Sequence, residues 1–368
     1  MNRPSVLVLG GTGAMGGYLV PILSKDYNVY VTSRTSRDPR ANVYYIQGNA
    51  HDIFFLENVL KERKYKAIID FMNYSTNEYK SRYKLFLDSS DQLFFISSSR
   101  VYSNINGRIV ESDKRLLDSS TDTIFLKSDD YALAKARQED LLRASGKNNW
   151  TIIRPYMTYS PFRLDIGMYP KEMWLYRLLK GRTIVFPEDV ANKYVTLTSG
   201  KDVAEGIAAL VGNATVLGET FHITQSKAYT WKEIIETYLD ELSLKGFCPK
   251  VIWVKKPMVD EGYIYHYDRL YDRVFDNSKI NGFIDVSHFI DAKCGIRSCL
   301  SEFLLAPSFQ HIDWKKQACW DRVTGECARK EEFDSLKNYL IYLTFRYILP
   351  YSKSQSLYRK IKQFVYGK

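Results

Sequence analysis

A doubly wound α/β fold, with a parallel sheet covered by helices on both faces, is predicted by three features of the 368-residue sequence. Short unbroken apolar runs recur from the amino terminus onward, stretches with helical spacing separate them, and a glycine-rich turn joins the first run to the first helix. A strand buried on both faces reads as a continuous apolar run rather than an alternating one. Runs and helices alternating on this scale imply right-handed βαβ crossovers.

The first run is Ser5-Val-Leu-Val-Leu9, followed by Gly10-Gly-Thr-Gly-Ala-Met-Gly-Gly17 and a helix marked by Tyr18, Leu19, Ile22 and Leu23. Asn28–Thr32 and Val43–Ile46 read as the second and third strands, and 53–63 as a helix through Ile53, Leu56, Val59 and Leu60. Ala67–Phe71 and Leu93–Ser97 are the fourth and fifth strands, with one helix over 76–88 between them. A long helix is expected over 129–145, then a sixth strand, Trp150–Pro155, closed by proline because proline cannot serve a ladder. Beyond 155 the segments are less regular and richer in aromatics. Helices are expected at Trp174–Lys180 and Asp202–Val211, a late strand at Thr220–Thr224, and a threonine-capped amphipathic helix from Thr230 to Leu239. The domain reading is therefore 1–160 for the doubly wound unit, with segments near 195–225 returning to it, and 161–368 for a smaller mixed α/β lobe and C-terminal extension.

Composition sets outer bounds. Apolar residues make up 45% and charged residues 26%, enough for a real core and ordinary for a soluble chain. The formal net charge of +10 fits a nucleic acid, an anionic membrane surface, a polyanionic small substrate, or simply a solvated basic surface. The excess is not focused in one stripe, so no nucleic-acid partner is expected. The densest cluster is the tail, with Lys353, Arg359, Lys360, Lys362 and Lys368. Within it, Leu357–Tyr366 alternates basic and apolar residues, a pattern compatible with weak membrane-surface contact or with docking on its own domain. The five cysteines, Cys248, Cys294, Cys299, Cys319 and Cys327, form no C-x-x-C pair. They are expected to be reduced and mostly buried, with no metal site. No signal peptide and no transmembrane run are read, so a cytoplasmic protein is expected.

Gly10-x-x-Gly13-x-x-Gly16 stands between a strand and a helix, where a dinucleotide fingerprint belongs. The first glycine permits a tight turn, the second lets the backbone approach a pyrophosphate, and the third lets helix and strand pack closely. This is the signature of a Rossmann domain. An acidic residue at the end of the second strand would hold a ribose 2′-hydroxyl, but the chain there reads Thr32-Ser-Arg-Thr-Ser-Arg37. Ser33 and Arg34 suit a 2′-phosphate instead, so NADP is favoured over NAD, unless Arg34 is a solvated loop charge.

Tyr131 and Lys135 lie four apart, on one face of the long helix. An ammonium beside a phenol favours the phenolate, which lets a tyrosine exchange protons near neutral pH. In a chain with 28 tyrosines such pairs are cheap, and Tyr176/Lys180 and Tyr358/Lys362 repeat the spacing. Position separates them. Only Tyr131 follows a strand ending in hydroxyl residues, Ser97-Ser-Ser-Arg-Val-Tyr102, and precedes one closing in Arg154-Pro155. A serine at the carboxyl end of a parallel strand faces the crevice where ligands bind.

With these elements, and Lys201-Asp-Val-Ala204, the chain resembles the extended short-chain dehydrogenase/reductases, the NAD-dependent epimerase/dehydratase group, over residues 5 to about 240. The resemblance implies Ser98 as the catalytic hydroxyl, Tyr131 as acid/base, and Lys135 as the residue that holds the nicotinamide ribose. It implies a cofactor site of Gly10, Thr12, Gly13, Met15, Gly16, Ser33, Arg34, Asn49, Ala50, Phe71, Lys135 and Pro155. Asn49 stands where the group usually has an aspartate near adenine. The group acts mostly on nucleoside-diphosphate sugars, so Ser99, Tyr159, Arg163, Arg269 and Arg273 are the expected substrate ligands. Dehydratases of the group carry an acidic pair after the catalytic hydroxyl. Here those positions are Ser99 and Arg100, which disfavours sugar dehydration. The expected function is an NAD(P)-dependent nucleotide-sugar epimerase working through a transient keto intermediate, in a homodimer. An NADP-dependent keto-sugar reductase is the alternative. A non-catalytic polyanion- or RNA-binding relative is a third reading, opposed by the intact serine, tyrosine and lysine.

Overall fold

The computed structural model describes residues 3–259 and 261–349. The tail that carries Leu357–Tyr366 lies outside the described residues. The chain divides into two units. The first comprises Met1–Phe162, Val195–Ala228 and Tyr271–Gly295; the second comprises Arg163–Tyr194, Tyr229–Leu270 and 296 onward.

The first unit is built on a seven-stranded parallel sheet. Its strands are β1 (Ser5–Leu9), β2 (Asn28–Ser33), β3 (Val43–Gln47), β4 (Ala67–Asp70), β5 (Leu93–Ile96), β6 (Trp150–Pro155) and β7 (Glu219–Ile223). They lie in the order β7-β6-β5-β4-β1-β2-β3. β1 pairs with β2 through Val6↔Val29 and with β4 through Val6↔Ala67. The order reverses at β1, so a crevice opens between its carboxyl end and that of β4. Side chains alternate across the sheet. Val6 and Val8 pack with Leu19 of helix α1 (Gly16–Leu23), whereas Leu7 and Leu9 pack with Leu56 of α2 (Ile53–Lys61). All four β1 residues are fully buried, which is why the run needed no polar face.

The single helix expected over 76–88 is two helices, α3 (Thr76–Lys80) and α4 (Tyr83–Ser89). α3 starts with a capping box, in which Ser75 and Glu78 satisfy each other's backbone amides. The break lies at Arg82. Its guanidinium takes the Glu78 carbonyl at 2.5 Å, while its backbone amide turns to Tyr79 O. The carbonyl that would have continued the ladder is thereby consumed. The catalytic-motif helix, α5, spans Tyr131–Arg143, and α6 spans Gly200–Leu210.

The expected lobe of 161–368 is corrected by one segment. Tyr271–Gly295 belongs to the first unit, where Ile280 and Phe289 enter the β-sheet core and Asn277 donates to Thr224 O at 2.7 Å beside β7. The second unit carries a parallel strand pair, Ile184–Pro187 with Val251–Val254. It also carries a buried ion network in which Asp321 binds Arg177 at 2.6 Å and Arg182 at 3.1 Å. Among the described residues no helix is long and apolar enough to cross a membrane. The five cysteines are free thiols, but they are not mostly buried: Cys319 alone is, while Cys248, Cys294 and Cys327 are exposed.

Candidate active site

The glycine turn closes on itself. Gly10 takes a left-handed φ of +71°, and Gly13 N–H donates to Gly10 O at 3.2 Å. At Gly16 a Cβ would lie 2.5 Å from the Gly11 Cα, so the start of α1 can approach the turn only as glycine. α1 has no side-chain cap; its Gly17 and Tyr18 amides donate to Gly13 O and Met15 O, and the start of the helix carries the positive end of its dipole. A cleft of about 350 Å³ opens over the turn. Gly10, Thr12, Gly13, Ser33, Arg34, Asn49 and Ala50 line it, together with four residues missed by sequence reasoning, Thr32, Gly48, His51 and Met72. Arg34 is exposed, and the lining holds no carboxylate. Ser33 is spoken for: its hydroxyl donates to Thr35 O at 2.8 Å and receives the Thr35 amide.

Five expected cofactor residues do not line this cleft, among them Lys135, which is buried on α5. Met15 and Phe71 pack against the sheet core, Gly16 is buried under Gly11, and Pro155 is buried at the end of β6. Phe71 and Met72 instead form the wall against Gly10, the former 3.4 Å and the latter 3.3 Å from where a Cβ would stand.

The motif residues converge at the carboxyl ends of β4 and β5. Tyr131 is the first residue of α5, half-buried, with Asp130 capping the helix through Ala132 N–H at 3.0 Å. One turn on, the buried Lys135 ammonium donates to Ile96 O at 2.9 Å and to Met72 O at 3.4 Å. It stands 6.0 Å from the centre of the Tyr131 ring. Asp70 is fully buried at the end of β4, accepting Met72 N–H at 3.0 Å. Burial pushes its carboxyl up to about 6 against the pull of Lys135. Ser98 opens the turn after β5, where its oxygen accepts Arg100 N–H at 3.2 Å. The Arg100 guanidinium lies 5.1 Å from the Tyr131 ring centre.

A further residue missed by sequence reasoning anchors α5. The fully buried Glu139 accepts Ser97 Oγ at 2.6 Å, Arg154 at 2.8 and 2.6 Å, and Arg115 at 3.3 Å. Burial acts to raise its carboxyl, but the Arg154 guanidinium holds it down at about 2.

The expected substrate ligands are largely corrected. Ser99 is fully buried and donates to Arg154 O at 2.8 Å, a tie between β5 and β6. Tyr159 is buried with its hydroxyl against Gly295, where no Cβ fits. Arg273 is fully buried and donates to Ser103 O at 2.9 Å and Tyr102 O at 3.0 Å. Arg269, in the second unit, is buried, pairs with Asp268 and donates to Gly167 O at 2.9 Å. A desolvated guanidinium needs several acceptors, and backbone carbonyls supply them. Arg163 is exposed and pairs with Asp165 at 3.0 Å, also in the second unit.

Fold and site together define a dinucleotide-binding α/β protein with a Ser/Tyr/Lys set beside the cofactor turn. The family model for the NAD dependent epimerase/dehydratase family matches residues 6–223. The chain belongs to that family. It is 35% identical over 77 residues to a UDP-glucose 4-epimerase of Lactobacillus helveticus, covering 19% of this chain and 23% of that protein. The chain thus spans about a quarter of the curated relative it matches. Solved structures share the fold at lower identity. A UDP-N-acetylglucosamine 4-epimerase from Methanobrevibacter ruminantium superposes with TM-score 0.63 at 17% identity, over 83% of this chain and 99% of that one. A UDP-glucose 4-epimerase from Thermus thermophilus, solved with NAD, gives 0.62 at 19%, over 82% and 99%.

The residues fit a nicotinamide dinucleotide: a left-handed glycine turn, an uncapped helix start and a cleft of about 350 Å³ at the strand ends. Gly16→Ala is expected to force the backbone apart there, an overpacking of about 1–3 kcal/mol, and to weaken dinucleotide binding roughly tenfold or more. A fluorescence titration with the reduced dinucleotide checks it; wild-type affinity would refute the packing argument.

Proposed function

We propose that this chain is an NAD(P)-dependent epimerase acting on a nucleoside-diphosphate sugar through a transient keto intermediate. The observation that carries the reading is the convergence of Ser98, Tyr131 and Lys135 at the ends of β4 and β5, one strand from the glycine turn. In it, Ser98 holds the reacting hydroxyl, and Tyr131 takes its proton as the carbonyl forms and returns a proton when the hydroxyl is restored. When bound, the cofactor accepts the carbon-bound hydrogen as hydride and gives it back to the other face. Lys135, pinned between Ile96 and Met72 carbonyls, keeps a positive charge beneath the phenol and offers an N–H to the cofactor's ribose. The protein would work in the cytoplasm as a homodimer.

NADP is the favoured cofactor. Arg34 stands exposed at the cleft where an acidic residue would select NAD, and no carboxylate lines it. The same observation supports the second reading, an NADP-dependent keto-sugar reductase, which consumes what an epimerase recycles.

Incubation with UDP-, GDP-, CDP- and dTDP-sugars, at trace and at stoichiometric cofactor, tests these readings. The expected outcome is interconversion of one sugar at trace cofactor, with no net change in reduced-nicotinamide absorbance and tighter binding of NADP than NAD. Stoichiometric consumption would establish the reductase. Preferential binding of NAD would overturn the role given to Arg34.

A further inference from the structure

Arg100 places its guanidinium beside the motif tyrosine, and it is poorly matched to its surroundings. It occupies the tight turn Ser99–Val101 directly after Ser98, with its side chain 18% exposed. The nearest acid, Asp130, is 3.8 Å away, and the same Asp130 oxygen already caps α5 through Ala132 N–H at 3.0 Å. The Nε of Arg100 is buried without a hydrogen-bond partner. Two other buried arginines have closer acids: Arg154 has Glu139 at 2.6 Å and Arg177 has Asp321 at 2.6 Å.

A second cation aggravates the mismatch. The Arg273 guanidinium is close enough to Arg100 to repel it, and burial together with that repulsion holds Arg100 below its ordinary pKa. Arg100, with its one carboxylate at 3.8 Å, leaves a positive field beside Tyr131. Guanidinium donors in a fork match a carboxylate bidentately, and a desolvated cation gains most from a partner that arrives already charged.

We propose that Arg100 is a specificity-determining residue that receives a carboxylate on the sugar ring, so that the substrate is a nucleoside-diphosphate uronic acid. The inference rests on the nucleotide-sugar reading above and names its substrate class. A carboxylate on the ring carbon next to the reacting one lies within reach of a guanidinium 5.1 Å from the tyrosine ring. The diphosphate, joined at the anomeric carbon, sits further from a reacting carbon across the ring. Asp130 serves as the resting counter-charge that the substrate displaces.

The test is kcat/KM for matched pairs of nucleotide sugars, each uronate against its neutral hexose, with wild type, Arg100→Gln and Arg100→Lys. Wild type is expected to favour the uronate. Arg100→Gln is expected to lower the uronate-to-neutral ratio by about 10- to 100-fold, the scale of a lost hydrogen bond to a charged group, and Arg100→Lys to retain part of it. Because both sugars are read on the same preparation, a smaller folded fraction cancels in the ratio. Wild-type preference for the neutral sugar overturns the proposal and leaves the epimerase reading standing. An equal loss on both sugars also overturns it, and assigns Arg100 to the diphosphate or to tuning Tyr131. No turnover of any nucleotide sugar removes the underlying reading and this one with it.

Discussion

Tyr131→Phe is expected to lower kcat about a thousandfold while leaving the fold and dinucleotide binding intact. The change removes one oxygen. That hydroxyl makes no hydrogen bond among the described residues, and the ring stays half-buried at the start of α5 between Arg100 and Lys135. A substitution that breaks no buried contact stays within about 0.5 kcal/mol of wild-type stability. A positioned general acid/base, in contrast, is worth roughly 10²–10⁴ in rate. Steady-state kinetics, a thermal melt and a cofactor titration on the same variant separate the two quantities. A variant that turns over at the wild-type rate would remove Tyr131 from the chemistry. A variant that melts many degrees lower would show the hydroxyl to be a structural tie instead.

Much of the first unit was legible because its cues are local. Each buried parallel strand writes itself as an apolar run, and β1 and β6 begin and end where Ser5–Leu9 and Trp150–Pro155 were read. Gly10 and Gly16 were legible because each meets a backbone limit that only glycine satisfies, a left-handed φ and a close approach to Gly11. The break at Arg82 was not legible. The 76–88 stretch has adequate helical spacing, and what interrupts it is a guanidinium reaching the Glu78 and His51 carbonyls, the second 31 residues away. The return of Tyr271–Gly295 to the sheet was hidden for the same reason, since it depends on Asn277 meeting Thr224.

The expected substrate arginines expose a sharper limit. Arg269 and Arg273 look on paper like phosphate ligands, because sequence gives charge but not burial. Folding turns their guanidiniums onto Gly167, Tyr102 and Ser103 carbonyls. Ser99 was read as a substrate ligand for a related reason. Three adjacent hydroxyls look alike in sequence, yet Ser97 bonds Glu139, Ser99 bonds Arg154 O, and Ser98 is left beside Arg100 and the crevice. Distance in sequence, not subtlety of chemistry, hid these roles.

Glu139→Gln is the substitution expected to cost the most stability, about 3–5 kcal/mol at neutral pH. The carboxylate is fully buried and answers Arg154 and Arg115 at once, with Arg143 at 3.2 Å as a third, more exposed partner. Glutamine keeps the shape but strands two buried guanidiniums, the arrangement in which removing one partner is most damaging. The pH dependence follows from the same charge. The Glu139 carboxyl is depressed from an ordinary 4.5 to about 2, so its stabilisation is whole above 4.5 and is lost as pH falls from there towards 2. That difference corresponds to about 3 kcal/mol. Urea unfolding of wild type and variant should therefore show a gap that is constant near neutrality and closes below about pH 4.5. A gap that persists unchanged to pH 2 would refute the ionic origin. Activity should fall with stability, because Glu139 fastens α5 to Ser97 of the β5 end and Arg154 of β6, one and two turns beyond Lys135 and Tyr131. A helix released from those ties would carry phenol and ammonium away from the strand ends, and kcat should drop even in the fraction that remains folded.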